Sequence, residues 1–119
     1  AEYRIGSSGE FKLGLHEVAI GMAVPRFGVE IARARLDPAH FELSVNCAYL
    51  YDADGAVEAG YLDEAVDAGQ LMARAIAIAT QLSGLDMIAH KETKARVRAP
   101  LMAALDVAAK KDFAEGGGL

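Results

Sequence analysis

From Val24 onward the apolar residues recur at helical spacing: Phe27, Ile31 and Ala34 form one stripe, while Arg26, Glu30 and Arg33 fall on other faces. Arg26 and Glu30 stand one turn apart and are expected to pair. Pro25 suits a first helical position, and Asp37-Pro38 reads as an N-cap followed by Pro at N1, closing one helix and opening the next. The second helix carries Phe41, Val45 and Ala48 on one stripe and is expected to run to about Leu50. Asp52 caps a short helix, Gly60 occupies its C′ position, and Tyr61 to Val66 leave it as a short strand or extended exit. Leu71, Ala75, Ile78 and Leu82, with Met72, Ile76 and Ala79 beside them, give a wide apolar face closed by Gly84, the pattern of a buried helix. Asp86 caps the next helix, which reaches Pro100. That proline opens a last helix with Met102, Leu105, Ala109 and Phe113 turned inward.

Ahead of Val24 the pattern is that of strands. Tyr3-Arg4-Ile5-Gly6 alternates, and Phe11-Lys12-Leu13 follows the turn signal Ser7-Ser8-Gly9. Strands this few and short do not make a stable sheet alone. Two readings follow: a β-ribbon packed on helices, or the later part of a larger α/β protein whose sheet lies upstream of Ala1. The second is preferred, because the helices beyond Leu82 carry more apolar surface than a strand pair can cover. Gly116-Gly117-Gly118 reads as a flexible tail, and no internal repeat is present.

Length and composition narrow the classes. A chain of 119 residues holds one domain, and 53% hydrophobic against 24% charged residues supplies a core and excludes intrinsic disorder. A net charge of −5 argues against general nucleic-acid binding. The lone Cys47 cannot form an internal disulfide, and apolar runs such as Ala75 to Ala79 fall far short of a membrane span. With no basic-then-apolar leader, a soluble, cytoplasmic protein is expected, bound to neither membrane nor nucleic acid.

Glu17 is the leading chemical candidate. It sits in the apolar run Leu13-Gly14-Leu15-His16-Glu17-Val18-Ala19-Ile20-Gly21-Met22, between a strand and a helix. Loss of hydration disfavours a carboxylate's charge and tunes it toward proton exchange near neutrality, the profile of a general acid or base. The alternative is a carboxylate that turns to solvent or caps the following turn. Alternation points His16 away from Glu17. The other chemistries lack support: His16, His40, His90 and Cys47 have no metal-ligand spacing, Ser44 and Cys47 lie mid-helix without a nucleophile's turn, and Gly14, Gly21 and Gly28 make no phosphate cradle. His90 to Arg98 holds four Lys/Arg against one Glu, either a face for an anion such as a nucleotide phosphate or a solvated helix surface.

Together these residues resemble the C-terminal half of the crotonase superfamily, the enoyl-CoA hydratases and isomerases. That family's acid-bearing loop reads approximately Phe-Gly-x-Pro-Glu-x-x-x-Gly, and Leu13 to Gly21 match it with Leu for Phe and His for Pro. Its later signature, Ala-x-x-Ala-x-x-x-Gly and a hydrophobic exit, is similar to Ala53 to Val66, and Ala1 to Gly6 resemble the strand before the acid loop.

The resemblance implies an α/β fold: residues 1–66 as the end of a ββα spiral core, and residues 67–119 as a mostly helical trimerisation region with a flexible tail. It implies an acyl-CoA thioester substrate, an enolate held by two backbone N–H groups lying upstream, and Glu17 as one of two acid/base positions. Leu15, Val24, Pro25 and Phe27 would line the acyl pocket. Val24-Pro25-Arg26-Phe27-Gly28 replaces the family's frequent Pro-Gly-x-Gly-Gly run and narrows that wall. No metal and no cofactor beyond the substrate's coenzyme A are implied, and a homotrimer or hexamer is. The competing expectation is a catalytically silent crotonase-like protein that binds acyl-CoA or serves as a scaffold.

Overall fold

The computed structural model describes residues 1–116. Local cap chemistry sets most element ends. Strand β1 (Ile5–Ser7) is followed by α1 (Arg26–Arg35), α2 (Pro38–Asn46), α3 (Ala53–Ala59), strand β2 (Glu64–Val66), α4 (Leu71–Leu82) and α5 (Met87–Gly116). The Asp37 carboxylate accepts from the Ala39 N–H with Pro38 at the helix start, and that of Asp52 accepts from the Gly55 N–H. Asp86 accepts from the Ile88 and Ala89 N–H groups. Gly60 ends α3 at φ 97°, where its N–H donates to the Ala56 and Val57 carbonyls.

The strands β1 and β2 pair in parallel with Ile5 opposite Glu64 and Ser7 opposite Val66, so α1, α2 and α3 form the crossover between them. This is an α/β arrangement with a small parallel sheet. One core cluster joins Ala32, Leu36 and Val45, and a second joins Tyr51, Ala56 and Ala59, with Tyr61 packed against both. Helix α5 lies along α1 and α4 packs on β1. The segment Ala68–Leu82 meets α5 at 102°, and among the described residues no single helix is long and apolar enough to cross a membrane.

Several expectations are corrected. Phe11-Lys12-Leu13 makes no strand; only Leu13 bridges, to Tyr51, and Phe11 is exposed. Helix α2 stops at Asn46 rather than near Leu50, because Ala48 turns the chain at φ 52° and releases Tyr49 to Tyr51 for that bridge. Pro100 does not divide two helices but lies within α5. Both Pro100 and Arg96 face solvent, where water can satisfy the carbonyl that the missing N–H leaves free. The face of α5 that turns inward contains Ala108 and Asp112, while Met102 and Phe113 stay exposed. Helix α4 has no buried residue, with Met72 71% and Ile76 58% exposed. Arg26 reaches α5 instead of Glu30, which pairs with Arg33 at 3.6 Å. The tail glycines Gly117 and Gly118 lie outside the described residues.

Candidate functional site

The loop carrying Glu17 is fixed from both sides by backbone. Upstream, Leu13 and Tyr51 exchange two N–H···O bonds of 2.8 Å. Gly14 passes so close beneath that segment that a Cβ there would stand 2.8 Å from the Tyr49 carbonyl oxygen. Leu15 then packs on the Ala32, Leu36 and Val45 cluster. Downstream, Glu17 opens a one-turn 3-10 helix over Val18–Ile20, and its carbonyl accepts from the N–H groups of Ile20 at 3.0 Å and Met22 at 2.9 Å. Gly21 closes the turn at φ 80°.

Within this frame the Glu17 side chain is half-buried, and its Oε2 is buried with no hydrogen-bond partner among the described residues. Buried polar atoms are nearly always partnered, so an orphaned carboxylate oxygen is an exception that calls for a partner from outside the described residues. Such an oxygen has its lone pairs free to take a proton from a bound molecule. His16 is exposed, so the two neighbours do face different surroundings.

The remaining pocket candidates flank the loop. Val24 is half-buried on the same core cluster as Leu15, Pro25 is the residue preceding α1, and Phe27 is half-buried in its first turn. The start of α1 is secured from far along the chain. Asp112 Oδ1 accepts from the Arg26 N–H and Oδ2 from the Phe27 N–H, each at 3.0 Å, and the Arg26 guanidinium donates to both Glu115 oxygens at 2.6 and 2.8 Å. Burial opposes charge on Asp112, but the two N–H groups and Arg26 outweigh it and hold the carboxyl below the ordinary aspartate range. Sequence reasoning missed Asp112 because it assigned Ala109 and Phe113 to the inward face. A carboxylate on an apolar helix face was the available signal.

The basic face of α5 meets an acid. Glu2 Oε1 lies 2.7 Å from Lys94 Nζ, 3.6 Å from His90 Nε2 and 3.9 Å from Arg98 Nη2. The hydrogen bond from Lys94 is the largest influence holding the Glu2 carboxyl down to about 2. Cys47 is exposed at the end of α2, and Ser44 is fully buried against the Tyr61 hydroxyl. Among the described residues no three His, Cys, Asp or Glu side chains converge on a common point.

Comparison with known proteins returns no matching family model and no matching curated protein. Solved structures do match. An enoyl-CoA hydratase/isomerase family protein from Pseudomonas syringae is 44% identical, with a TM-score of 0.95 over 97% of this chain and 50% of its own. The chain belongs to the crotonase superfamily. A probable enoyl-CoA hydratase, EchA3, from Mycobacterium tuberculosis H37Rv is 29% identical, with a TM-score of 0.90 over 98% of this chain and 49% of its own. A second structure of that mycobacterial protein, described as an apo enoyl-CoA isomerase, matches with a TM-score of 0.89 and 29% identity over 96% of this chain and 50% of its own. This crotonase-superfamily chain therefore spans about half the length of the structures it matches.

Proposed function

We propose that this crotonase-superfamily chain carries an acid/base residue, Glu17, of an enoyl-CoA hydratase or isomerase acting on an acyl-CoA thioester. The observation that carries the reading is the buried, unpartnered Glu17 Oε2 on a loop whose backbone is tied at both ends. A carboxylate so held can take a proton from the substrate's acyl chain and return it elsewhere on the same chain, as isomerisation requires, or share the work of adding water with a second carboxylate. Leu15, Val24, Pro25 and Phe27 are assigned to the acyl pocket, and the enolate's two N–H donors and the second carboxylate to the remainder of the fold. Coenzyme A enters as part of the substrate.

The reading includes a homotrimer or hexamer, supported by the apolar residues left in water on α4 and α5. Met72, Ile76, Met102 and Phe113 are all more than half exposed. It also implies that the 119 residues alone leave crotonyl-CoA unchanged, since one carboxyl cannot stabilise an enolate.

The test is Glu17→Gln in the complete protein, with crotonyl-CoA hydration and 3-hexenoyl-CoA isomerisation as assays. Turnover is expected to fall by about 10² to 10⁴ with the fold intact. Unchanged turnover removes Glu17 from the mechanism. Saturable thioester binding with no turnover in the unmodified protein would assign it to the silent, acyl-CoA-binding class instead.

A further inference from the structure

Among the described residues no extended strand pairs with the Glu17 loop, yet its first residues are held by one short segment, Tyr49 to Tyr51. The tie is a single bridge, with the Leu13 and Tyr51 backbones exchanging two bonds of 2.8 Å. What fixes the segment is the Tyr51 side chain, which is 5% exposed. Its ring stacks edge-on against Tyr49 at 4.8 Å and His40 at 5.7 Å, and rests on Ala56 and Ala59 of α3. Its hydroxyl lies 3.2 Å from His40 Nδ1 on α2 and donates to it when that nitrogen is unprotonated. Tyr51 thus connects the loop, through its backbone, to two helices, through its side chain. The neighbouring Ala48 holds the strained φ of 52° that lets the segment leave α2 and reach Leu13.

We propose that Tyr51, anchored by His40, is a positioning residue that fixes the Glu17 loop at its upstream end, an inference that rests on the reading of Glu17 as the acid/base group. Tyr51 does not touch the Glu17 side chain. It acts through the Leu13 bridge, beyond which only Gly14, Leu15 and His16 precede Glu17. A hydroxyl that served packing alone would have no reason to influence the amides of a loop on the other side of the bridge.

The experiment uses the complete protein and two readouts, amide hydrogen exchange and crotonyl-CoA turnover. Tyr51→Phe keeps the ring and removes the hydroxyl. It is expected to speed exchange of the Leu13 amide by about fivefold to tenfold while leaving the α5 amides that pack on α1 unchanged. His40→Leu, which removes the partner nitrogen, should do the same, and His40→Gln, which restores an acceptor, should recover most of the protection. In turnover, Tyr51→Phe should lower kcat by about threefold to tenfold with KM within twofold, and have no further effect in a Glu17→Gln background. Unchanged Leu13 exchange overturns the proposal, as does a kcat loss that persists undiminished without the Glu17 carboxylate. Faster Leu13 exchange alongside a fully active Glu17→Gln variant supports the tether and overturns the acid/base reading alone.

Discussion

Substituting Gly60 by alanine isolates the contact on which the α1–α3 crossover closes. The backbone stands at φ 97°, a region where an L side chain costs about 1–2 kcal/mol. The added Cβ would also lie 3.0 Å from both the Arg35 carbonyl oxygen and the Asp37 nitrogen. Both are backbone atoms at the α1–α2 junction and cannot rotate aside, so the junction must move and the 2.9 Å bond from the Asp37 N–H to the Ala59 carbonyl must stretch, worth about 1 kcal/mol. Restricting the unfolded chain returns roughly 0.4–1 kcal/mol, leaving a net loss of about 1–2.5 kcal/mol. Two companions separate the causes. Gly21→Ala meets strain at φ 80° with nothing within 4 Å, so it should lose less. Gly69→Ala has open space and no positive φ, so it should be neutral or slightly stabilising. Urea unfolding of the three variants, compared at constant m, provides the ranking. If Gly60→Ala is no less stable than Gly21→Ala, the close approach at the junction carries no energy and the packing argument fails.

Ala48→Gly should stabilise the protein by up to about 1 kcal/mol, because relief of an L residue at φ 52° exceeds glycine's entropic cost, and a lowered urea midpoint would contradict this. Acid should weaken the fold in one direction. Glu2 is held down to about 2, and Asp112, Asp63 and Glu64 lie below their ordinary values, so their contribution is whole above about pH 4.5 and drains as pH falls toward 2. A urea midpoint that stays flat between those limits would refute it. Phe113→Ala should shift sedimentation toward smaller species while leaving helical circular dichroism unchanged, and a protein that sediments as a monomer at micromolar concentration before mutation would remove the assembly reading.

Short-range chemistry was legible in the sequence. Asp37-Pro38, Asp52 with Gly60, and Asp86 declare helix ends through atoms a few residues apart, and each cap forms as read. The acid loop was legible as an apolar segment around one carboxyl, and its placement between β1 and α1 follows that reading. What escaped was set at long range. Pro100 is a local stop signal that solvent exposure overrides. Asp112 finds its partners at the far end of the fold, and periodicity cannot say which of two possible faces of α5 will meet α1. The orphaned oxygen of Glu17 and the Tyr51 bridge are likewise products of tertiary placement.

The bond from the Arg26 N–H to Asp112 spans 86 residues, and this separation imposes an order on synthesis. At roughly 5–20 residues per second, on the order of 4–17 s separate the synthesis of Arg26 from that of the carboxylate that satisfies the first amides of α1. During that interval the start of α1, immediately downstream of the Glu17 turn, must borrow water for its unpaired N–H groups. The downstream flank of the Glu17 loop is therefore among the last of the described residues to set, and a chain halted before Asp112 would hold β1, β2 and the Leu13–Tyr51 bridge with the first amides of α1 still unpaired.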